Sequence, residues 1–202
     1  MSDEWPAALE RGAAGAPHEG ERRSGDLAVF APTPAGGLAC VIDGLGHGEE
    51  AADAAEIAGR VVQAHPSLSP QDLLERCHAA LRRTRGVVMT LAWLDVEQGV
   101  LEWTGVGNVE GRLVRAGAGD DPRHESALVF AGVVGYTLPR IKPTRARLEP
   151  GDAVVLVTDG IGRTFYSTLS GGVGAQALAE RIYARHRRGT DDALAVVVRY
   201  AP

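Results

Sequence analysis

The chain has 202 residues, of which 45% are hydrophobic and 23% charged, and this is the composition of one globular domain with enough apolar material for a core without disulfide staples. A formal net charge of -5 argues against non-specific binding to nucleic acid, whose phosphates reward basic surfaces. No run approaches the roughly 20 apolar residues of a membrane helix, and Met1 to Gly25 carries no signal-type apolar stretch, so a cytoplasmic protein with Cys40 and Cys77 reduced is expected, without membrane contact.

Residues 1–24, rich in Ala, Gly and charge, read as a loosely ordered lead-in to a single domain over 25–202. Asp26 to Ala31 and Leu38 to Asp43 are short apolar runs flanking a Pro- and Gly-rich loop, and predict a hairpin. Glu49 to Ala64 is an Ala-rich helix stopped by Pro66. Ser69 caps a second helix that starts with Pro70 and runs to about Arg85. Strands follow at Val87 to Val96, Val100 to Gly105 and Gly111 to Arg115, with weaker signals at Leu128 to Ala131 and Thr144 to Leu148. The turn at Glu149 to Asp152 leads into the strongly apolar Ala153 to Val157. A third helix spans Gly174 to Arg187, and a buried strand covers Ala193 to Val198. Hairpins with two adjacent helices and one late helix do not follow the strand-helix beat of a parallel fold. The order predicts an α+β sandwich of antiparallel sheets with helices outside.

Acids sit at four strand ends. Asp26 opens a strand after Ser24-Gly25. Asp43 closes the next and is followed by Gly44-Leu45-Gly46-His47-Gly48. Asp159 follows Val154 to Thr158 and precedes Gly160, and Asp191-Asp192 precede the last strand. One Asp-Gly after a strand is ordinarily a turn. Several such acids beside glycines suit hard divalent cations, which take oxygen ligands and keep several waters. His47 has the chemistry of a ligand, a proton donor or a backbone-bonding loop residue. The loop role is expected, because oxygen ligands predominate here. Arg185, His186, Arg187 and Arg188 read as a solvated helix end. The Gly44-x-Gly46-x-Gly48 spacing is not the dinucleotide fingerprint, and no Walker A sequence, nucleophile elbow or Cys-x-x-Cys pair occurs.

Together Ser24-Gly25-Asp26, Val41-Ile42-Asp43-Gly44-Leu45-Gly46-His47-Gly48, Thr158-Asp159-Gly160-Ile161 and Asp191-Asp192 resemble, in order, the metal-dependent (type 2C) protein phosphatase family. The likeness extends to its bacterial branch acting on sigma-factor regulators. Trp103-Thr104-Gly105-Val106-Gly107-Asn108 favours the short, sensor-free form. The resemblance implies a four-layer α/β/β/α sandwich and a centre of two Mn²⁺ or Mg²⁺ ions. Asp43 would bridge the ions, the Gly44 carbonyl would bind the first, and Asp159 and Asp191 the second, with Asp192 as the alternative to Asp191. Asp26 would hold a water behind them. The implied activity is serine/threonine protein phosphatase, hydrolysing phosphoserine or phosphothreonine with an activated water. The implied partner is a phosphorylated stress-signalling regulator of stressosome-scaffold type, met by a monomer. An anti-sigma antagonist as substrate, a small-molecule phosphatase and a non-catalytic binding module on the same fold are the alternatives. Animal and plant members hold a phosphate-gripping arginine upstream of the first Asp; Arg22 and Arg23 stand near that place, not at its spacing, and read as solvated surface charges, with service of either at the phosphate as the alternative.

Overall fold

The computed structural model describes residues 4–116, 124–169 and 172–202. The strands are β1 (Leu9–Ala16), β2 (Asp26–Thr33), β3 (Gly36–Gly44), β4 (Val87–Asp95), β5 (Val100–Val106), β6 (Glu110–Val114), β7 (His124–Ser126), β8 (Val129–Phe130), β9 (Thr144–Arg147), β10 (Ala153–Val157) and β11 (Ala193–Tyr200). The helices are α1 (Glu49–Ala64), α2 (Pro70–Leu81) and α3 (Ala175–His186), with a 3₁₀ segment at Arg163–Thr168. One sheet has the order β1-β11-β10-β6-β7. The other runs β2-β3-β4-β5-β8, with β9 also pairing β5. All pairings are antiparallel except β5 with β8.

Alternation along the central strands builds the layers, because successive side chains point to opposite faces. Val154, Leu156, Val196 and Val198 meet Ala39, Val41, Leu101 and Trp103 between the sheets. Their neighbours Val155, Val157, Ala195 and Val197 pack under α3 with Leu178, Ala179 and Ile182. Cys40, Ile42, Met89 and Leu91 face α1 and α2. Both faces are therefore buried, which is why these strands read as continuous apolar runs. Truncating the wholly buried Leu156 to Ala removes contacts on the inner face, at about 2–5 kcal/mol. The four-layer α+β sandwich expected from the sequence is the fold observed. Among the described residues, no helix is long and apolar enough to cross a membrane, and Cys40 and Cys77 are buried and unpaired.

Three local expectations change. The lead-in is not loosely ordered throughout: Leu9–Ala16 is an edge strand paired along its length with β11. Ala and Gly have poor strand propensity, but here smallness is required. A Cβ on Gly12 would come within 2.4 Å of the Gln176 backbone, where α3 starts, and Gln176 exchanges two side-chain hydrogen bonds with the Ala13 backbone. In the first hairpin the strands run further than their apolar residues, with Thr33 paired to Gly36, so only Pro34 and Ala35 form the turn. The second helix begins as expected, with Ser69 Oγ accepting from the Asp72 amide and Pro70 in the first turn. It stops at Leu81, because both the amide and the hydroxyl of Thr84 donate to the Leu81 carbonyl and close the helix early.

Candidate metal centre

The acids converge through strand register. Asp26 is directly opposite Asp43 in the β2–β3 ladder, and Asp43 is opposite Val88 of β4. Like charges in such a pair repel. Burial pushes the Asp43 carboxyl up to about 8, with the negative charges of Asp26, Asp159, Asp191 and Asp192 adding to it. Burial likewise pushes Asp26 up to about 7, against a lowering hydrogen bond from Thr158, with Asp192, Asp159 and Asp191 raising it further. Thr158, itself buried, joins the sheets: its Oγ1 donates to Asp26 Oδ2 at 2.7 Å and accepts from the Leu194 amide at 3.0 Å.

The second group of acids comes from the other sheet. Asp159 lies just past β10 and is exposed, and its Oδ2 accepts from Asn108 Nδ2 at 2.8 Å. Asp191 and Asp192 lead into β11 but serve different places. Asp192 is buried and accepts from the amides of His18 at 2.6 Å and Gly25 at 2.7 Å, tying the first segments of the chain to the edge. Asp191 is exposed and lines an open cleft of about 260 Å³ together with Asp43, Leu45, Gly46, Asn108 and Asp159. Gly44 sits where a Cβ would stand 2.2 Å from the Ala51 carbonyl oxygen of α1, so the loop after Asp43 tolerates no side chain there. A larger cavity, about 1070 Å³, is at the opposite end of the sandwich among the β2–β3, α1–α2 and β4–β5 connections. Among the described residues its lining acids are otherwise engaged: Asp95 caps its own turn and Glu102 pairs with Arg145.

These donors are all oxygens, and they fit a hard divalent cation. The charges acting most strongly on Asp43 are all negative. A counter-charge is what lets these carboxylates ionise together near neutrality. Among the described residues the acidic side chains do not close into a group of three around one point. Asn108 and Thr158 hold Asp159 and Asp26 in their own hydrogen bonds, so waters would complete the shell of a cation such as Mg²⁺, which keeps several.

His47 does not line the cleft; its Nδ1 hydrogen-bonds Glu21 Oε1 at 2.7 Å. Arg23 differs from its reading as a solvated charge, for it binds Glu49, Asp53 and Glu56 along α1 at 2.5, 2.8 and 2.6 Å. Arg185 and His186 do end α3, while the Arg188 amide continues to the Gly160 carbonyl. Sequence reasoning assigned no role to Asn108, Thr158 or the latch at Asp192. Asn108 has a visible signal, since Gly107 before it takes the left-handed φ of 100° that turns the chain after β5.

The sandwich is the fold of a SpoIIE/PP2C-type domain. The profile described as stage II sporulation protein E (SpoIIE) matches residues 34–201, and the chain belongs to this family. It is 27% identical over 126 residues to the phosphoserine phosphatase RsbX of Bacillus subtilis (strain 168), a match covering 61% of this chain and 60% of that protein. A structure solved in a study of the bacterial stressosome as a modular system controlling secondary messenger signaling superposes with a TM-score of 0.85 at 28% identity, over 95% of this chain and 99% of that one. The crystal structure of RsbX in complex with magnesium gives a TM-score of 0.84 at 20% identity, with 99% of each chain covered. The serine/threonine phosphatase PstP/Ppp of Mycobacterium tuberculosis gives 0.70 at 16%, covering 96% and 99%. The last two likenesses establish the shared fold.

Proposed function

We propose that this chain is a metal-dependent serine/threonine protein phosphatase acting on a phosphorylated bacterial stress-signalling regulator. The observation that carries the reading is the meeting at one sandwich edge of Asp26, Asp43, Asp159 and Asp191, from four separate segments and both sheets. Asp43, Asp159 and Asp191, with the Gly44 carbonyl, are the proposed ligands of two Mn²⁺ or Mg²⁺ ions, and Asp26 stands behind them. Asp191 takes the ligand role in preference to Asp192, which is occupied by two backbone amides. When bound, such a pair of cations supplies an activated water and neutralises charge developing on the phosphoryl group. Thr158 fixes the rotamer of Asp26, and Asn108 that of Asp159, so the acids are oriented before substrate arrives. The cleft is open and smaller than the roughly 300–1,000 Å³ typical of small-molecule pockets, which suits a phosphorylated side chain presented by a protein.

The test is dephosphorylation of a phosphoserine- or phosphothreonine-bearing stressosome scaffold protein, with Mn²⁺, with Mg²⁺ and in chelator. The reading expects release of phosphate only with metal. Turnover that survives thorough chelation ends it, and metal binding without turnover on any phosphoester turns the chain into a binding module.

A further inference from the structure

We infer that Arg85 grips the phosphate group of the substrate at this edge; the inference rests on the phosphatase reading above. A phosphate dianion approaching Asp43, Asp159 and Asp191 gains from a cationic donor at the rim, in addition to whatever the acids hold. Arg23, the arginine closer to Asp26 that Arg22 flanks, is taken up by three carboxylates of α1. Arg188 approaches Gly162, its Nε 3.9 Å from where a Cβ would stand, and Gly162 does not line the cleft.

Arg85 is placed otherwise. Its Nη1 lies 2.7 Å from the position of a Cβ on Gly46, and Gly46 lines the cleft with the three acids. Gly46 has a φ of 85°, a conformation other residues adopt only with strain, and any side chain there would also displace the guanidinium. The arginine is held in place from two sides. Its Nε donates to Glu50 Oε2 at 2.5 Å, and the carbonyl of the next residue, Gly86, accepts from the Leu45 amide at 3.1 Å. The early end of α2 at Leu81 is what brings residues 84–86 across to the glycine-rich loop. Among the described residues Nη1 and Nη2 have no hydrogen-bond partner, and the side chain is 45% exposed. A guanidinium with Nε engaged and both terminal nitrogens free presents two donors at the spacing of two phosphate oxygens.

The experiment compares wild type, Arg85→Ala and Arg85→Lys, all with saturating Mn²⁺. Calorimetric titration of inorganic phosphate reads the grip without turnover, and hydrolysis of an aryl phosphate reads KM. Arg85→Ala is expected to weaken phosphate binding and raise KM by about tenfold or more, as expected for losing a charge-assisted hydrogen bond. The Mn²⁺ activation constant and the melting temperature should not move, and Arg85→Lys should recover part of the loss. Unchanged phosphate affinity in Arg85→Ala overturns the inference. So does a rise in KM confined to a phosphoprotein, which would make Arg85 a contact to the partner's surface, or a parallel shift of metal activation, which would make it a support of the loop. A wild-type protein that binds phosphate through Arg85 yet turns over no ester removes the phosphatase reading and leaves the grip standing.

Discussion

The same device occurs twice, as Val41-Ile42-Asp43-Gly44 and Val157-Thr158-Asp159-Gly160, and the fold uses its two copies differently. The glycines are alike. A Cβ on Gly44 would stand 2.2 Å from the Ala51 carbonyl oxygen, and one on Gly160 would stand 1.9 Å from that of Asp192. Each lets another segment press against the chain just after the acid. The acids diverge. Asp43 is still inside the ladder, between β2 and β4 and opposite Asp26, and it is driven up to about 8. Asp159 lies two residues past the end of β10, exposed, with an amide partner in Asn108. One dipeptide therefore yields a half-buried carboxylate within the ladder and an exposed one at the rim, and in the proposed function the first would bridge two cations and the second would complete one of them. What separates them is how far the strand continues.

The largest effect that tests this contrast is Asp43→Asn. Aryl phosphate turnover should fall by about a thousandfold, the scale of losing a central electrostatic group, and in chelator the variant should melt higher than wild type because a half-buried like-charge contact is gone. A lower melting temperature with turnover intact would return Asp43 to a turn. Asp159→Asn should be milder, with Mn²⁺ activation weakened by at least about tenfold, the usual cost even for an outer partner of a metal site. Excess Mn²⁺ should restore part of the turnover, and the metal-free melting temperature should stay put. Equal losses in the two variants would erase the distinction between ladder and rim acid.

The neighbouring pair divides next. Asp192→Ala leaves the His18 and Gly25 amides without their acceptor, and denaturant unfolding should show a loss of about 1–3 kcal/mol with metal activation kept. Asp191→Ala should do the opposite, weakening metal activation without loss of stability. The smallest effect is in pH. Asp43 and Asp26 hold their protons more tightly folded, at about 8 and about 7, than the ordinary carboxyl at 3.8. Their favourable contribution is thus complete below about pH 4 and is lost as pH rises through 7 and 8. Metal-free protein should melt progressively lower over that range, Mn²⁺ should flatten the trend, and Asp43→Asn should lack its upper part. A metal-free melting temperature that rises toward pH 8 contradicts the crowding of these acids.

Much of the architecture could be read from the residues alone. Glu49–Ala64 and Ala153–Val157 have the bounds that periodicity and apolar runs predict, because a helix or strand buried on a sheet announces itself through local pattern. Asp43 and Asp159 stand out for a similar reason, since an acid and a glycine end an otherwise apolar run. The Ala- and Gly-rich β1 has no such pattern. It is a strand because β11 offers its edge and α3 needs small residues beneath it. Asp191 and Asp192 are equivalent to a reader of sequence; the turn into β11 sends one to the cleft and the other to two amides. Arg23 and Arg85 look like surface charges until α1 collects the first and the early stop of α2 carries the second to Gly46. Local propensity and burial period are written along the chain, so the sequence by itself determined the layers and named the acids. Which acids line one cleft, and which arginine reaches its glycine-rich rim, depends on register between strands far apart in sequence and on where each helix stops, and only the packed tertiary structure decided that.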